Sequence, residues 1–345
     1  MKTMTNMKHV FAIALWSSLL LGCSGDEETI IPREEGTALK IESAGISAQA
    51  ITRADAGYTA LTSLGDEVGL YLRDDAGKYA VKNNVKYSFV AAGQPWKTET
   101  PLWLGGETAK VCAYYPCHDA APSYDDATAL PLDTRLYSHQ EDVSYSIEQE
   151  VDGTSAHSTL QLKLDRAYSR LALNFKRDAA FPYPGTCNLT KVELINSGII
   201  TQASLNIRTG VRTAVSTPGT FVYDKPGSGL DITVPPYTGT SDIVKSDDDT
   251  SITVNRNRSI LIIPCTLNSK TGSDGKSYSL TVRLTIDGKP MTVDIPATDL
   301  PAFKAGTLYT MTISIRGTEL TVGNVSIQDW TQQPVGGDGS EYVPL

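Results

Sequence analysis

Tyr278, Leu280, Val282, Leu284 and Ile286 occupy alternate positions, Asp287-Gly288 comes next, and Met291, Val293 and Ile295 return. A period of two puts successive side chains on opposite faces of a strand, so this stretch has one buried and one wetted face. Asp-Gly favours the positive φ angles of a tight hairpin turn. A hairpin with one apolar face is not stable alone and must be covered by a second layer. The same period recurs at Val85, Tyr87 and Phe89, at Leu160, Leu162 and Leu164, and at Leu171, Leu173 and Phe175. It recurs again at Tyr309, Met311, Ile313 and Ile315, where Arg316-Gly317 turns the chain into Leu320, Val322, Val325 and Ile327. With 28 Gly and 18 Pro in 345 residues, the punctuation suits many short strands. The one competing helical stripe, Leu164, Ala167, Tyr168, Leu171 and Ala172, has alternating flanks and reads as two strands or one bent strand. The fold class is all-β.

Further strands are expected at Ala38 to Ile46, Gly65 to Leu72, Val111 to Pro116, Val192 to Ile195, Leu205 to Arg208, Ile232 to Val234 and Ser259 to Pro264. Residues 117–140 read as a long loop. Phe181-Pro182-Tyr183-Pro184-Gly185 interrupts the pattern and marks a boundary. The expected division is a leader at 1–22, a tether and first strand at 23–53, an N-terminal β-sandwich at 54–180 and a C-terminal β-sandwich with a tail at 181–345.

At the N-terminus, Lys2 and Lys8 precede the apolar run Val10 to Leu21, which is too short to span a bilayer but suits a signal-peptide core. Leu20-Leu21-Gly22-Cys23 resembles the lipobox of bacterial lipoproteins, which implies acylation of Cys23 and an anchor in the outer membrane. Ser24 to Glu35 carries Asp26, Glu27, Glu28, Glu34 and Glu35 against Arg33, a composition that buries too little surface to fold and reads as a solvated tether.

A net charge of −9 argues against a nucleic-acid partner, which needs a basic face. Cys112, Cys117, Cys187 and Cys265 allow three pairings, and spacing does not choose among them. Bridges between Cys112 and Cys117 or between Cys187 and Cys265 stand against buried free thiols. No CxxC pair supplies zinc spacing. There is no G-x-S-x-G elbow, no H-E-x-x-H and no phosphate-cradling glycine loop, so neither an enzyme nor a cofactor is expected. His9, His118, His139 and His157 are dispersed, and Asp247-Asp248-Asp249 lacks the oxygen spacing and turn glycine of a calcium loop. Trp96, Trp103 and nearby tyrosines fit either core packing or a stacking platform for sugars.

Several short motifs, taken in order, resemble the fimbrillin family, the subunits of the type V pili of Gram-negative anaerobes. They are the lipobox, Thr52-Arg53, Gly65-Asp66 with Val68-Gly69-Leu70-Tyr71, and Trp103-Leu104 ahead of Ala113-Tyr114-Tyr115-Pro116. Phe303-Lys304-Ala305-Gly306-Thr307-Leu308-Tyr309 and Ile327-Gln328-Asp329-Trp330 complete the set. The resemblance implies two transthyretin-like antiparallel β-sandwich domains in tandem, lipidation at Cys23 and cleavage by an arginine-specific protease at Arg53. It further implies that the strand around Leu39 and Ile41 is displaced, and that other pilin subunits are the partners. An opened sheet edge with unpaired backbone groups is a template for another strand. The candidate donor is the tail after Trp330, with Val335, Tyr342, Val343 and Leu345 as anchors, although Gly336-Gly337-Asp338-Gly339 makes it loose. That leaves a tip or accessory subunit open beside a stalk subunit, with a ligand on a host or bacterial surface.

The competing expectation is a monomeric outer-membrane surface lipoprotein that binds glycans. An inserted segment ahead of Arg53 favours assembly. A dangling one, or a row of exposed tryptophans, favours sugar binding.

Overall fold

The computed structural model describes residues 36–47, 58–135, 141–178, 180–224, 232–234 and 259–330. Cys23, Arg53, Val335, Tyr342, Val343 and Leu345 lie outside these, as does the Asp247–Asp249 run.

Among the described residues the regular secondary structure is almost entirely strand. The first group is β1 (Thr37–Ala38), β2 (Lys40–Ser47), β3 (Tyr58–Ala60), β4 (Glu67–Arg73), β5 (Lys82–Ser88), β6 (Trp103–Leu104), β7 (Ala109–Tyr115), β8 (Leu130–Asp133), β9 (Ser144–Val151) and β10 (Thr159–Arg166). Next come β11 (Ser169–Arg177), β12 (Asn188–Ile195), β13 (Gln202–Asn206), β14 (Val211–Ala214), β15 (Thr220–Asp224), β16 (Ile232–Thr233) and β17 (Ser259–Ile262). The last are β18 (Cys265–Thr266), β19 (Lys270–Thr271), β20 (Ser277–Ile286), β21 (Lys289–Pro296), β22 (Ala302–Phe303), β23 (Thr307–Arg316), β24 (Glu319–Val322) and β25 (Ser326–Asp329). No helix among the described residues is long and apolar enough to cross a membrane.

The expected hairpin forms as β20 and β21. Asp287 and Gly288 both take positive φ, 46° and 76°, and Ile286 pairs with Lys289 across the turn. The helical stripe at 164–172 is overruled. Leu160, Leu162 and Leu164 face one core from β10, while Leu171, Leu173 and Phe175 face another from β11.

A seven-stranded sheet runs in the order β3-β2-β10-β9-β7-β4-β5. Its two ends face each other, because β9 and β10 pair only at Tyr145–Asp165 and Ser144–Arg166 and then part. Ile41, Ala44 and Ile46 from β2 thereby share one core with Val68, Leu70 and Leu72 from β4 and Val111 from β7. A second sandwich packs the sheet β17-β11-β23-β24 against the sheet β15-β12-β20-β19, with Leu171, Val192, Leu284 and Ile313 inside. A third apolar cluster joins the two, with Tyr71, Tyr114, Tyr145, Leu205, Leu261 and a fully buried Trp330.

Three expectations are corrected. Residues 117–140 contain a strand, β8, whose partner is β13 from much later in the chain. Leu130 and Leu132 alternate around Pro131, and the proline hid a strand that lies at the edge of its sheet. The strand expected at Leu205–Arg208 sits earlier, at β13. The sheets are not purely antiparallel, since β2 runs parallel to β10 and β11 parallel to β23. Parallel neighbours need long connections, and each of these pairs is separated by more than a hundred residues. β10 belongs to the seven-stranded sheet and β11 to the second sandwich.

The four described cysteines are free thiols. Burial pushes Cys112 up to about 12 and Cys117, Cys187 and Cys265 to about 11, which keeps them protonated and unreactive at neutral pH.

Candidate functional site

Lys-Ile-Glu-Ser-Ala-Gly-Ile-Ser is a short strand whose pairing along the chain reaches no nearer than β3, which starts at Tyr58. In the fold it lies inside the seven-stranded sheet. It is parallel to β10 along Thr159–Leu164 and antiparallel to β3 at Gly45–Ala60, Ile46–Thr59 and Ser47–Tyr58. Leu39, Ile41, Ala44 and Ile46 are all buried, Ile41 completely. Burying three large aliphatic side chains at roughly 1.5–3 kcal/mol each makes this segment an integral part of the core.

Loops complete the seat. The Leu39 N–H donates to the Leu102 carbonyl at 2.8 Å and the Lys40 N–H to the Ser158 carbonyl at 2.9 Å. The Trp96 N–H donates to the Ile41 carbonyl at 3.0 Å and the Leu61 N–H to the Ala44 carbonyl at 2.9 Å. Ahead of these, β1 pairs with β6, and the Thr37 hydroxyl donates to the Gly153 carbonyl at 2.7 Å. Taking residues 37–47 away would orphan all of these groups, each costly to leave unpaired once buried. It would also strip β3 of its only sheet partner among the described residues.

The strand contains an irregularity that alternation alone did not reveal. The ladder steps from Leu160–Ile41 to Gln161–Ser43, leaving Glu42 as an extra residue. Glu42 and Ser43 both face solvent, so the inward set changes from odd to even positions, from Leu39 and Ile41 to Ala44 and Ile46. The signal was present in the sequence as Ile-x-x-Ala-x-Ile, which strict alternation cannot place on one face.

Outside β2 and β10 lies an open cleft of about 670 Å³, bordered by Glu42, Tyr58, Ile147, His157, Gln161 and Lys163. Gln161 holds Glu42 at 3.1 Å, and the Lys163 ammonium sits 5.7 Å from the centre of the Tyr58 ring. At the end of β10, burial raises the Asp165 carboxyl above its ordinary value, opposed by the Ser47 hydroxyl and the Arg212 charge.

The aromatic platform does not assemble. Trp96 is buried and meets Phe89 edge-on at 5.8 Å, Trp330 is buried beneath the Arg166 guanidinium at 4.0 Å, and Trp103 is 42% exposed. No group of three or more His, Cys, Asp or Glu side chains among the described residues could hold a metal ion. A polar cluster that sequence reading missed joins His118 to Glu141 at 2.6 Å and stacks Tyr124 between His118 and Tyr114 at 4.5 and 5.3 Å. The Glu141 hydrogen bond raises the His118 pKa against the opposing effect of burial. Such a cluster braces the loop after β7.

Among the described residues the architecture is two stacked β-sandwich layers with the first strand seated inside a sheet. The fimbrillin-like family matches residues 52–330, and the chain belongs to that family. Membership makes it a structural protein of the fimbrillin kind and not an enzyme. The fold is similar to that of a candidate cell adhesion protein from Bacteroides uniformis, 17% identical, with a TM-score of 0.54 over 85% of this chain and 99% of that one. It is also similar to one from Bacteroides ovatus, 16% identical, with a TM-score of 0.55 over 87% of this chain and 99% of the other. No curated protein matches the sequence.

Proposed function

We propose that this protein is a subunit of a surface pilus, exported as a lipoprotein through Cys23 and assembled by strand complementation after cleavage at Arg53. Its partners are other pilin subunits, and its place is the outer surface and the fimbrium. The observation that carries the reading is the seating of Lys40–Ser47 within the seven-stranded sheet. The covalent link from that strand to β3 is residues 48–57, which contain Arg53. A second observation agrees: the part of the chain shared with the family starts at Thr52 and leaves β1 and β2 out. A strand inside a sheet that lies outside the family's common region suits a segment present before assembly and replaced during it.

Cutting at Arg53 severs the covalent link to β2 but leaves its hydrogen bonds and buried side chains in place. Release therefore needs a competitor that restores the same contacts, which makes assembly an exchange and not a dissociation. The groove left behind is bounded by β10, β3 and the loops at Trp96, Leu102 and Ser158, and it accepts an extended segment by main-chain pairing.

The test is to treat the lipid-free precursor with an arginine-specific protease and to follow oligomers by native electrophoresis. A ladder is expected from the wild type and none from Arg53→Ala. Monomers from both would overturn the reading.

A further inference from the structure

Beyond Tyr145–Asp165 the strands β9 and β10 no longer pair, and the cleft of about 670 Å³ lies along their diverging outer faces. A concavity of that size is large enough for a small ligand. Four strands supply its walls: Glu42 from β2, Tyr58 from β3, Ile147 and Gln149 from β9, and Gln161 and Lys163 from β10. The loop between β9 and β10 adds His157 at the rim.

Several of these side chains are held before any ligand arrives. The Gln161 amide donates to the Glu42 carboxylate at 3.1 Å, and the Gln149 amide donates to the Ser146 hydroxyl at 2.8 Å. The His157 Nδ1 lies 2.9 Å from the Asp152 carboxylate, which leaves Nε2 as the ring's free polar edge. Groups fixed in this way lose less freedom on binding than groups that must first be ordered.

The lining selects a chemistry. The carboxyls of Glu42, Glu150 and Asp165 share the cleft with the Lys163 ammonium, so an anionic ligand meets three carboxyl groups and a cationic one meets a like charge. Amides, carboxyls, an ammonium and an imidazole set donors and acceptors side by side. A sugar hydroxyl is both donor and acceptor, so a neutral polyol satisfies such a mixture without carrying a charge into it. Tyr58 and Ile147 are large apolar side chains left exposed, and they offer a surface to the C–H face of a sugar ring. This platform needs no tryptophan.

We infer that the cleft binds a short neutral oligosaccharide, which gives the subunit an adhesive site of its own on the solvent side of β2. The site adds a ligand to the assembly reading and does not rest on it, because Glu42 and Tyr58 stand on strands that are in place in the uncut chain.

The experiment titrates the uncut, lipid-free precursor with maltotriose, cellotriose, lactose and triacetylchitotriose, followed by calorimetry and saturation-transfer NMR. Deacetylated chitotriose is the cationic counterpart of the last, sialyllactose is the anionic counterpart of lactose, and a peptide of residues 331–345 stands for an extended chain segment. At least one neutral sugar is expected to saturate with a Kd of about 1 mM or tighter, and at least about tenfold more tightly than its charged counterpart where the pair includes one. Gln161→Ala and Tyr58→Ala, each checked for an unchanged Tm, should each weaken that sugar at least about tenfold. Ile327→Ala, exposed on β25, should leave it unaltered. No saturable binding by any neutral sugar overturns the proposal, as does tighter binding of a charged sugar or of the peptide than of every neutral one. Undiminished binding in both cleft variants overturns the placement of the site. None of these outcomes bears on the protease ladder, so failure here and failure of the assembly reading are distinguished.

Discussion

β2 and β23 hold equivalent kinds of position in the two halves of the molecule. Each lies inside a sheet, each runs parallel to one neighbour and antiparallel to another, and each contributes fully buried side chains to its own core. They differ in how they are tied. β23 pairs with β11 without interruption from Arg170–Leu308 to Arg177–Ile315 and continues through the Gly317 turn into β24. β2 has a bulged ladder to β10, a short one to β3, and loop contacts for the remainder. A strand held by an uninterrupted ladder and a tight hairpin can leave only with global unfolding. On the proposed assembly, a strand with a bulge and one severable connection is the one exchanged. Burial alone does not distinguish the two strands; pairing and connectivity do.

The sharpest way to test that difference begins with Trp330, which closes the strand set around β23 and packs in the core shared by both halves. Trp330→Ala should cost about 3–5 kcal/mol in denaturant unfolding, before and after cleavage alike. A matched pair comes next. Ile41→Ala and Ile313→Ala each remove a fully buried side chain and should each cost about 2–5 kcal/mol in the precursor. After cleavage and replacement of β2 by the wild-type 36–49 peptide, the Ile41→Ala penalty should vanish while the Ile313→Ala penalty persists. Persistence of both would place β2 in the same category as β23.

A smaller effect concerns pH. His118 and its partner Glu141 lie in the N-terminal half. Glu141 raises the folded-state pKa of His118, so the stabilisation is fully present below the unfolded value and fades as pH rises through the folded one. Glu141→Gln should flatten that dependence, by less than about 1 kcal/mol because the pair is partly exposed. Unaltered pH dependence would remove the pair from the account. The smallest shift is expected at Asp165, whose raised pKa makes the folded state favour the protonated form. Stability from this group is present at low pH and lost as pH rises through the folded pKa. Asp165→Asn should therefore raise Tm by about 1 °C at neutral pH and by less under acid conditions.

Much of the strand content was legible because period two leaves a direct trace in single segments. Tyr278 to Ile295 gave strand, turn and returning strand together, since Asp287-Gly288 is a local conformational requirement. Leu39 and Ile41 were legible as an early strand for the same reason. Leu130 and Leu132 were not, because Pro131 disguises them and their partner at Leu205 and Ala203 lies far along the chain. The polar cluster of His118, Tyr124 and Glu141 was equally hidden, since it depends on a loop folding back on β7.

Local patterning thus determined the class of the protein: strands with one apolar face, turns between them, and no residues spaced for catalysis. Tertiary structure decided which strands lie beside which, that two of the pairings are parallel, and that Glu42 stands outside the ladder so that Ala44 and Ile46 reach the core. The reason is range. Side-chain alternation and turn preference act between residues a few positions apart, whereas sheet order and register depend on which distant surfaces lose least by being buried together.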